Sequence, residues 1–98
     1  MILVGAEVKA GSFEDSKGKA IEYNNLMLYF LTDEIESESF HCGQAVNIEK
    51  VKNTKENLSG IFKDKYKDKD GDWLSELIGV HCELYYDKSG KLSKCLFD

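Results

Sequence analysis

Two Lys-Gly turns and the aromatic run between them are the residues best suited to chemistry. Lys17-Gly18-Lys19 and Lys88-Ser89-Gly90-Lys91 place cations at two turns, and Tyr23 and Tyr29 lie in the long run that follows the first turn. Lysines neutralise phosphates, and aromatic rings stack on bases at ~1–3 kcal/mol each. Together on one face they suit an extended nucleic-acid strand. The ordinary alternative is that Gly-Lys pairs are hairpin tips and strand tyrosines pack. The fold expected below sets the two turns on either side of the strand, which brings the first reading level with the second.

Other clusters carry less. His41-Cys42 and His81-Cys82 repeat a His-Cys pair, and Cys95 follows. Zinc takes Cys and His ligands in a tetrahedron. Neighbours along a strand point to opposite faces, so one such pair cannot close on one ion. There is no CxxC. An odd number of cysteines forms no closed disulfide framework, so reduced, buried thiols are expected. The run from Asp64 to Asp72 hints at a calcium loop. Setting Gly71 at its sixth position puts Tyr66 where the first Asp belongs and Leu77 where the final Glu belongs. The match fails, and a solvated loop is expected. No nucleophile motif, phosphate loop or carboxylate pair is present. The expectation is a protein that is not an enzyme and has no catalytic residue, metal or cofactor.

Composition narrows the partner. The chain of 98 residues has room for one domain, residues 1–98. It is 42% hydrophobic and 32% charged, with a net charge of −5, and all of its 13 basic residues are lysine. Without arginine it can hold phosphates only as point charges. The charge is uneven: 31–49 is acidic and free of lysine, whereas 50–69 is rich in lysine, so a local basic face is compatible with the total. No apolar run reaches the ~18 residues of a membrane span. The start, Met1-Ile2-Leu3-Val4-Gly5, is too short for a signal peptide and lacks its basic residues. A cytoplasmic location is expected.

The elements follow from periodicity. Ile2 to Ala10 alternates, with Ile2, Val4, Ala6, Val8 and Ala10 opposite Glu7 and Lys9, and Gly5 and Gly11 mark bends or a bulge. Ser12 to Lys19 reads as a polar turn. Gly18 to Leu31 reads as a long central strand, apolar on both faces from Leu26 onward. A strand of that kind must be covered twice, by its own core and by a partner, a helix or a ligand, which argues for a dimer or a binding face along it. Thr32-Asp33-Glu34 reads as a hairpin turn. Glu36 to Cys42 reads as a third strand that continues through Ala45 to Val51. Asn53, with Glu56 three residues on, reads as the cap of a helix from Thr54 to about Tyr66. Asp72 reads as the cap of a short helix, Trp73 to Ile78, ended by Gly79. Val80 to Tyr86 and Lys91 to Phe97 close the chain as a hairpin. The expected fold is mainly β with a helical insert: a five-stranded OB-fold-like barrel with the helix between strands 3 and 4.

The segments MILVGAEVKAGSF and SKGKAIEYNNLMLYF resemble the small single-stranded-DNA-binding proteins of phages, broadly like the gene V proteins of filamentous phages. The ending, IGVHCELYYDKSGKLSKCLF, is similar to the last hairpin of many phage and mobile-element OB-folds. The chain departs from gene V proteins in its helical insert, its acidity and its lack of arginine. The resemblance implies sequence-independent binding of single-stranded DNA during replication or transfer of a phage or mobile element. The strand would stack on Tyr23, Tyr29 and Phe40, with Lys17, Lys19, Lys88 and Lys91 on its backbone. The implied partners are single-stranded DNA, a second copy in a homodimer, and replication or transfer proteins, with no membrane. The alternative is an acidic adaptor that uses the apolar strand 21–31 to bind a protein.

Overall fold

The computed structural model describes residues 1–32, 38–40, 42–67 and 72–98. Its organising element is a long β-hairpin. Strand β1 (Ile2–Glu14) pairs antiparallel with β2 (Ala20–Thr32) along their whole length. The turn between them is short. The Asp15 carboxylate accepts the backbone N–H groups of Lys17 and Lys19, both at 2.9 Å, and Gly18 takes a positive φ of 77° that suits glycine. The expected turn over Ser12–Lys19 is thus confined to 15–19, and its first three residues belong to β1.

Strand β3 (Ala45–Lys52) pairs antiparallel with the inner half of β2. The hairpin thus runs past the sheet as a two-stranded ribbon. Strand β3 begins at Ala45. Of the strand expected from Glu36 to Cys42, 36, 37 and 41 lie outside the described residues, and Glu38, Ser39, Phe40 and Cys42 are not in strand. Positions 33 and 34 of the expected hairpin turn are also outside them.

Helix α1 (Lys55–Phe62) follows β3. Its cap is Thr54, whose side chain accepts from the Asn57 N–H. Asn53, the expected cap, instead donates its side-chain amide to Asn24 at 3.1 Å. The α-helix also ends before Tyr66, because Lys63 has a φ of 55° and starts a single 3₁₀ turn, Lys63–Lys65. Helix α2 is one turn, Asp72–Ser75, and starts on the residue expected to cap it. Strands β4 (Cys82–Tyr86) and β5 (Leu92–Phe97) form the last hairpin. No helix among the described residues is long and apolar enough to cross a membrane.

The molecule is thus mainly β, with five strands and a short helix between strands 3 and 4. The sheets β1-β2-β3 and β4-β5 do not close into a barrel. Main-chain bonds join them where Ile2 bridges His81, Met1 and Cys82 exchange hydrogen bonds, and Gly79 N–H donates to Leu3; the Tyr86 hydroxyl of β4 also donates to Glu49 of β3.

The core lies between the sheets. Leu3, Leu26, Leu28, Phe30 and Val51 of the large sheet pack with Cys82, Leu92 and Cys95 of the small one. Leu58, Ile61 and Phe62 of α1 join them, as do Trp73 and Leu77. Phe62 meets Trp73 edge-on at 4.9 Å between ring centroids. Cys82 and Cys95 are buried as expected, whereas Cys42 is exposed. A hydrogen bond between the two buried thiols, together with burial, pushes Cys95 up, and the same bond draws Cys82 down.

Two bulges break the simple alternation. The β1 register shifts between Leu3 and Gly5, so Leu3 and Ala6 share the core face and Ile2 turns outward. The β5 register shifts at Ser93, so Leu92 and Cys95 are both buried despite their odd spacing. The expected single faces of these strands are corrected accordingly.

Lys63 tests the local backbone. Its positive φ costs ~1–3 kcal/mol for a residue with a Cβ, against ~0.5–1 kcal/mol of extra chain entropy for glycine. Lys63→Gly is expected to stabilise the fold by about 1 kcal/mol, raising Tm by ~4–8 °C in a thermal melt. An unchanged or lower Tm would show that the backbone there carries no strain.

Candidate nucleic-acid interface

Opposed residues in an antiparallel sheet share a face, so the register fixes what the outer face carries. Four cross-strand rows run over β1, β2 and β3: Ile2-Leu31-Val46, Gly5-Tyr29-Ile48, Glu7-Met27-Lys50 and Lys9-Asn25-Lys52. On the ribbon the face continues with Gly11-Tyr23 and Phe13-Ile21. The surface passes from apolar at one end, through lysine, to aromatic at the other.

Each tyrosine sits opposite a glycine. A Cβ on Gly11 would lie 2.7 Å from the Tyr23 hydroxyl and 3.0 Å from its ring, so Tyr23 lies over Gly11. A Cβ on Gly5 would be 3.6 Å from the Tyr29 ring. Glycine leaves a bare stretch of backbone that an aromatic ring covers. Phe13 adds a tilted ring 6.3 Å from Tyr23. The tyrosines are six positions apart on β2, or about 20 Å at ~3.3 Å per residue. Lys9, Lys50 and Lys52 fall between them.

Glu7 is the acid on this face. It accepts the Tyr29 hydroxyl at 2.6 Å and lies 3.7 Å from the Lys9 ammonium. The hydrogen bond from Tyr29, more than the nearby charge, lifts the Tyr29 phenol above its ordinary value of 10.0. Glu7 thereby anchors the ring and offsets part of the lysine charge.

The structure sorts the expected residues. It puts Tyr23 and Tyr29 on one face. Lys17 and Lys19 lie at the far tip of the ribbon, beyond Tyr23. Lys88 and Lys91 lie in the β4–β5 turn, built like the first: the Asp87 carboxylate accepts the Ser89 and Lys91 N–H groups, and Gly90 has a φ of 85°. The Ser89 hydroxyl also donates to Asp87, which holds that carboxyl below its usual range. Lys91 lines a groove with Asn25, Lys50 and Lys52 and so reaches the lysine rows from the β3 side. Phe40 is not brought to the face; it lies outside the strands and is 89% exposed.

Lys9, Lys50 and Lys52 were missed from the sequence. Their signal was parity: Val46, Ile48, Lys50 and Lys52 alternate along one strand. The described residues hold no group of three or more His, Cys, Asp or Glu that could hold a metal. No family model, curated protein or solved structure matches the chain.

The Tyr29–Glu7 pair gives a titration. Because the folded phenol is raised, its contribution to stability is full below the unfolded value near 10 and is lost as pH rises through the folded one. Glu7→Gln is expected to lower the Tyr29 titration midpoint, read as the phenolate absorbance that Tyr29→Phe removes. A midpoint unmoved by Glu7→Gln would mean that the bond does not form in solution.

Proposed function

We propose that this protein binds single-stranded DNA without sequence preference on the outer face of its large sheet. The observation that carries the reading is the pair of tyrosines on cross-strand glycines with Lys9, Lys50 and Lys52 between them. Bases stack on Tyr23 and Tyr29, which any base can do because every base has a π-face. The lysines take the phosphates between. Lys17 and Lys19 extend the track along the ribbon, and Lys91 with Lys88 approaches it from the side. The strand is bound and held extended, as replication or transfer of a phage or mobile element requires, and no bond is made or broken.

The fold reading that goes with this is an OB-like barrel left open. Its strands neighbour one another in the order β3-β2-β1-β4-β5, counting the Ile2–His81 bridge. That is the order of a five-stranded Greek-key barrel unzipped between β3 and β5, with α1 beside the gap. The likeness to gene V-type proteins belongs to the same proposal.

An acidic adaptor that binds a protein through this face is the other reading. It is favoured by Val46 and Ile48, which are exposed at the β3 end of the face. Salt separates the two. Titration of a fluorescent oligo-dT is expected to give micromolar or tighter binding at low salt. The slope of log affinity against log salt should be about −0.7 per phosphate neutralised. Tyr23→Ala and Tyr29→Ala are each expected to cost ~1–3 kcal/mol of binding. Lys50→Gln and Lys52→Gln are expected to flatten the salt slope by ~0.7 each while leaving the fold intact. Absence of binding at low salt would sink the strand-binding reading, and binding indifferent to both tyrosines would move the site off this face.

A further inference from the structure

We propose that two copies of this chain associate through the free edge of β3, which pairs antiparallel with the same edge of the second copy about a two-fold axis at Ile48. Among the described residues, β3 has β2 on one side and no strand on the other. Edges of this kind are normally blunted by charge, proline or a bulge. The β1 edge has its bulge and the bridge to His81. The first half of the β3 edge has neither, and it presents Val46 and Ile48, 60% and 56% exposed. Beside its second half lies an open groove of about 800 Å³ between β3 and the start of β5, lined by Val51, Lys52, Gly60, Ile61, Lys91 and Leu92. This groove is the gap between the sheets; in the dimer the second copy's Ala45–Asn47 runs along it, so Lys91 reaches the lysine rows from this side only in the single copy.

Charge selects both the occupant and the register. An axis at Glu49 would set carboxylate against carboxylate, and an axis at Lys50 would set ammonium against ammonium, which is destabilising. An axis at Ile48 opposes Ile48 to Ile48, Val46 to Lys50, Asn47 to Glu49 and Ala45 to Val51, with no like charges facing. It uses the edge from Ala45 to Val51, whereas an axis at Asn47 leaves Lys50 and Val51 unpaired by β3. A two-fold normal to the sheet keeps both outer faces on one side, so the two tyrosine–lysine surfaces become continuous. The association itself needs no DNA.

Sedimentation of the full chain without DNA is expected to show a monomer–dimer equilibrium across the micromolar range. Ile48→Glu puts two carboxylates directly opposite each other and should raise the dimer dissociation constant roughly tenfold or more. Register is tested by cross-linking in a Cys42→Ser background under an added disulfide oxidant. Opposed residues have Cα atoms about 4.5–5.5 Å apart, within disulfide range. Ile48→Cys should therefore cross-link to itself. Val46→Cys alone should not, but mixed with Lys50→Cys it should. All three positions keep native circular dichroism if the edge is exposed as described. A monomer at every concentration would overturn the proposal, as would self-linking at Val46 as fast as at Ile48. DNA binding by such a monomer would leave the strand-binding reading standing, and a dimer that binds no DNA would leave this inference standing without it.

Discussion

Everything in this molecule depends on the register of one hairpin. Pairing of β1 with β2 is symmetric about Lys17, from Asp15–Lys19 at the turn to Gly5–Tyr29 at the bulge. A slip of one residue would turn Leu26, Leu28 and Phe30 to water and bring Tyr29 and Met27 inside. Burial of each large apolar side chain contributes ~1.5–3 kcal/mol, so the slipped sheet would lose most of a core this size can supply. The turn locks the same register locally, through two N–H donations to Asp15 and a glycine with positive φ. Local and global preferences agree, which is the condition for a single native pairing. The proposed binding face is then a by-product of that pairing: once Leu28 faces the core, Tyr29 must face out.

The net charge of −5 stands against the proposed contact with phosphates. Range decides how much it matters. Charges separated by more than the ~8–10 Å Debye length at physiological salt are largely screened. A phosphate on the outer face would therefore answer mainly to the charges nearest it, the Lys9, Lys50 and Lys52 ammonium groups. Glu7 is the acid that shares that face. Its carboxylate is already committed to the Tyr29 hydroxyl and to Lys9. The total charge would slow the approach of a strand at low salt, whereas the local charge would set the contact.

The fold was legible where periodicity was unbroken. The long β2, the terminal hairpin and the helix between β3 and β4 all follow from spacing and turn residues. The misreadings have local causes. The bulge beside Gly5 falls where a bend or bulge is expected, but the alternation that groups Ile2 and Val4 with Ala6 does not survive the residue it inserts, and the bulge at Ser93 carries no such mark. Thr54 displaced Asn53 as cap because the Asn53 amide found Asn24 across the sheet, a tertiary contact. Lys63 ended the α-helix without glycine or proline to announce it. The tyrosines were legible because strand parity places them together. The lysines of the face were not, because their neighbours across the sheet depend on which strand β3 pairs and in what register. Turn lysines were visible in sequence but fell at the rims.

Lysine-only chemistry limits what such a face can do. Arginine reads guanine by a planar, bidentate fork, and lysine is a point charge on a flexible stem. Lys9, Lys50 and Lys52 can follow phosphates whose positions vary, at little cost in geometry. Tyr23 and Tyr29 are equally tolerant, since stacking asks for a flat base and not for a particular edge. The side chains on this face that could read a base edge are few, with Asn25 in the middle of the Lys9–Asn25–Lys52 row. One amide among three ammonium groups cannot impose a sequence, because each base discriminated needs its own bidentate pair at ~1–3 kcal/mol. Affinity on such a surface grows with the length of strand covered. Joining two faces edge to edge at β3, as proposed, would lengthen the track without adding a specific contact, so it would raise affinity while leaving selectivity where one copy left it.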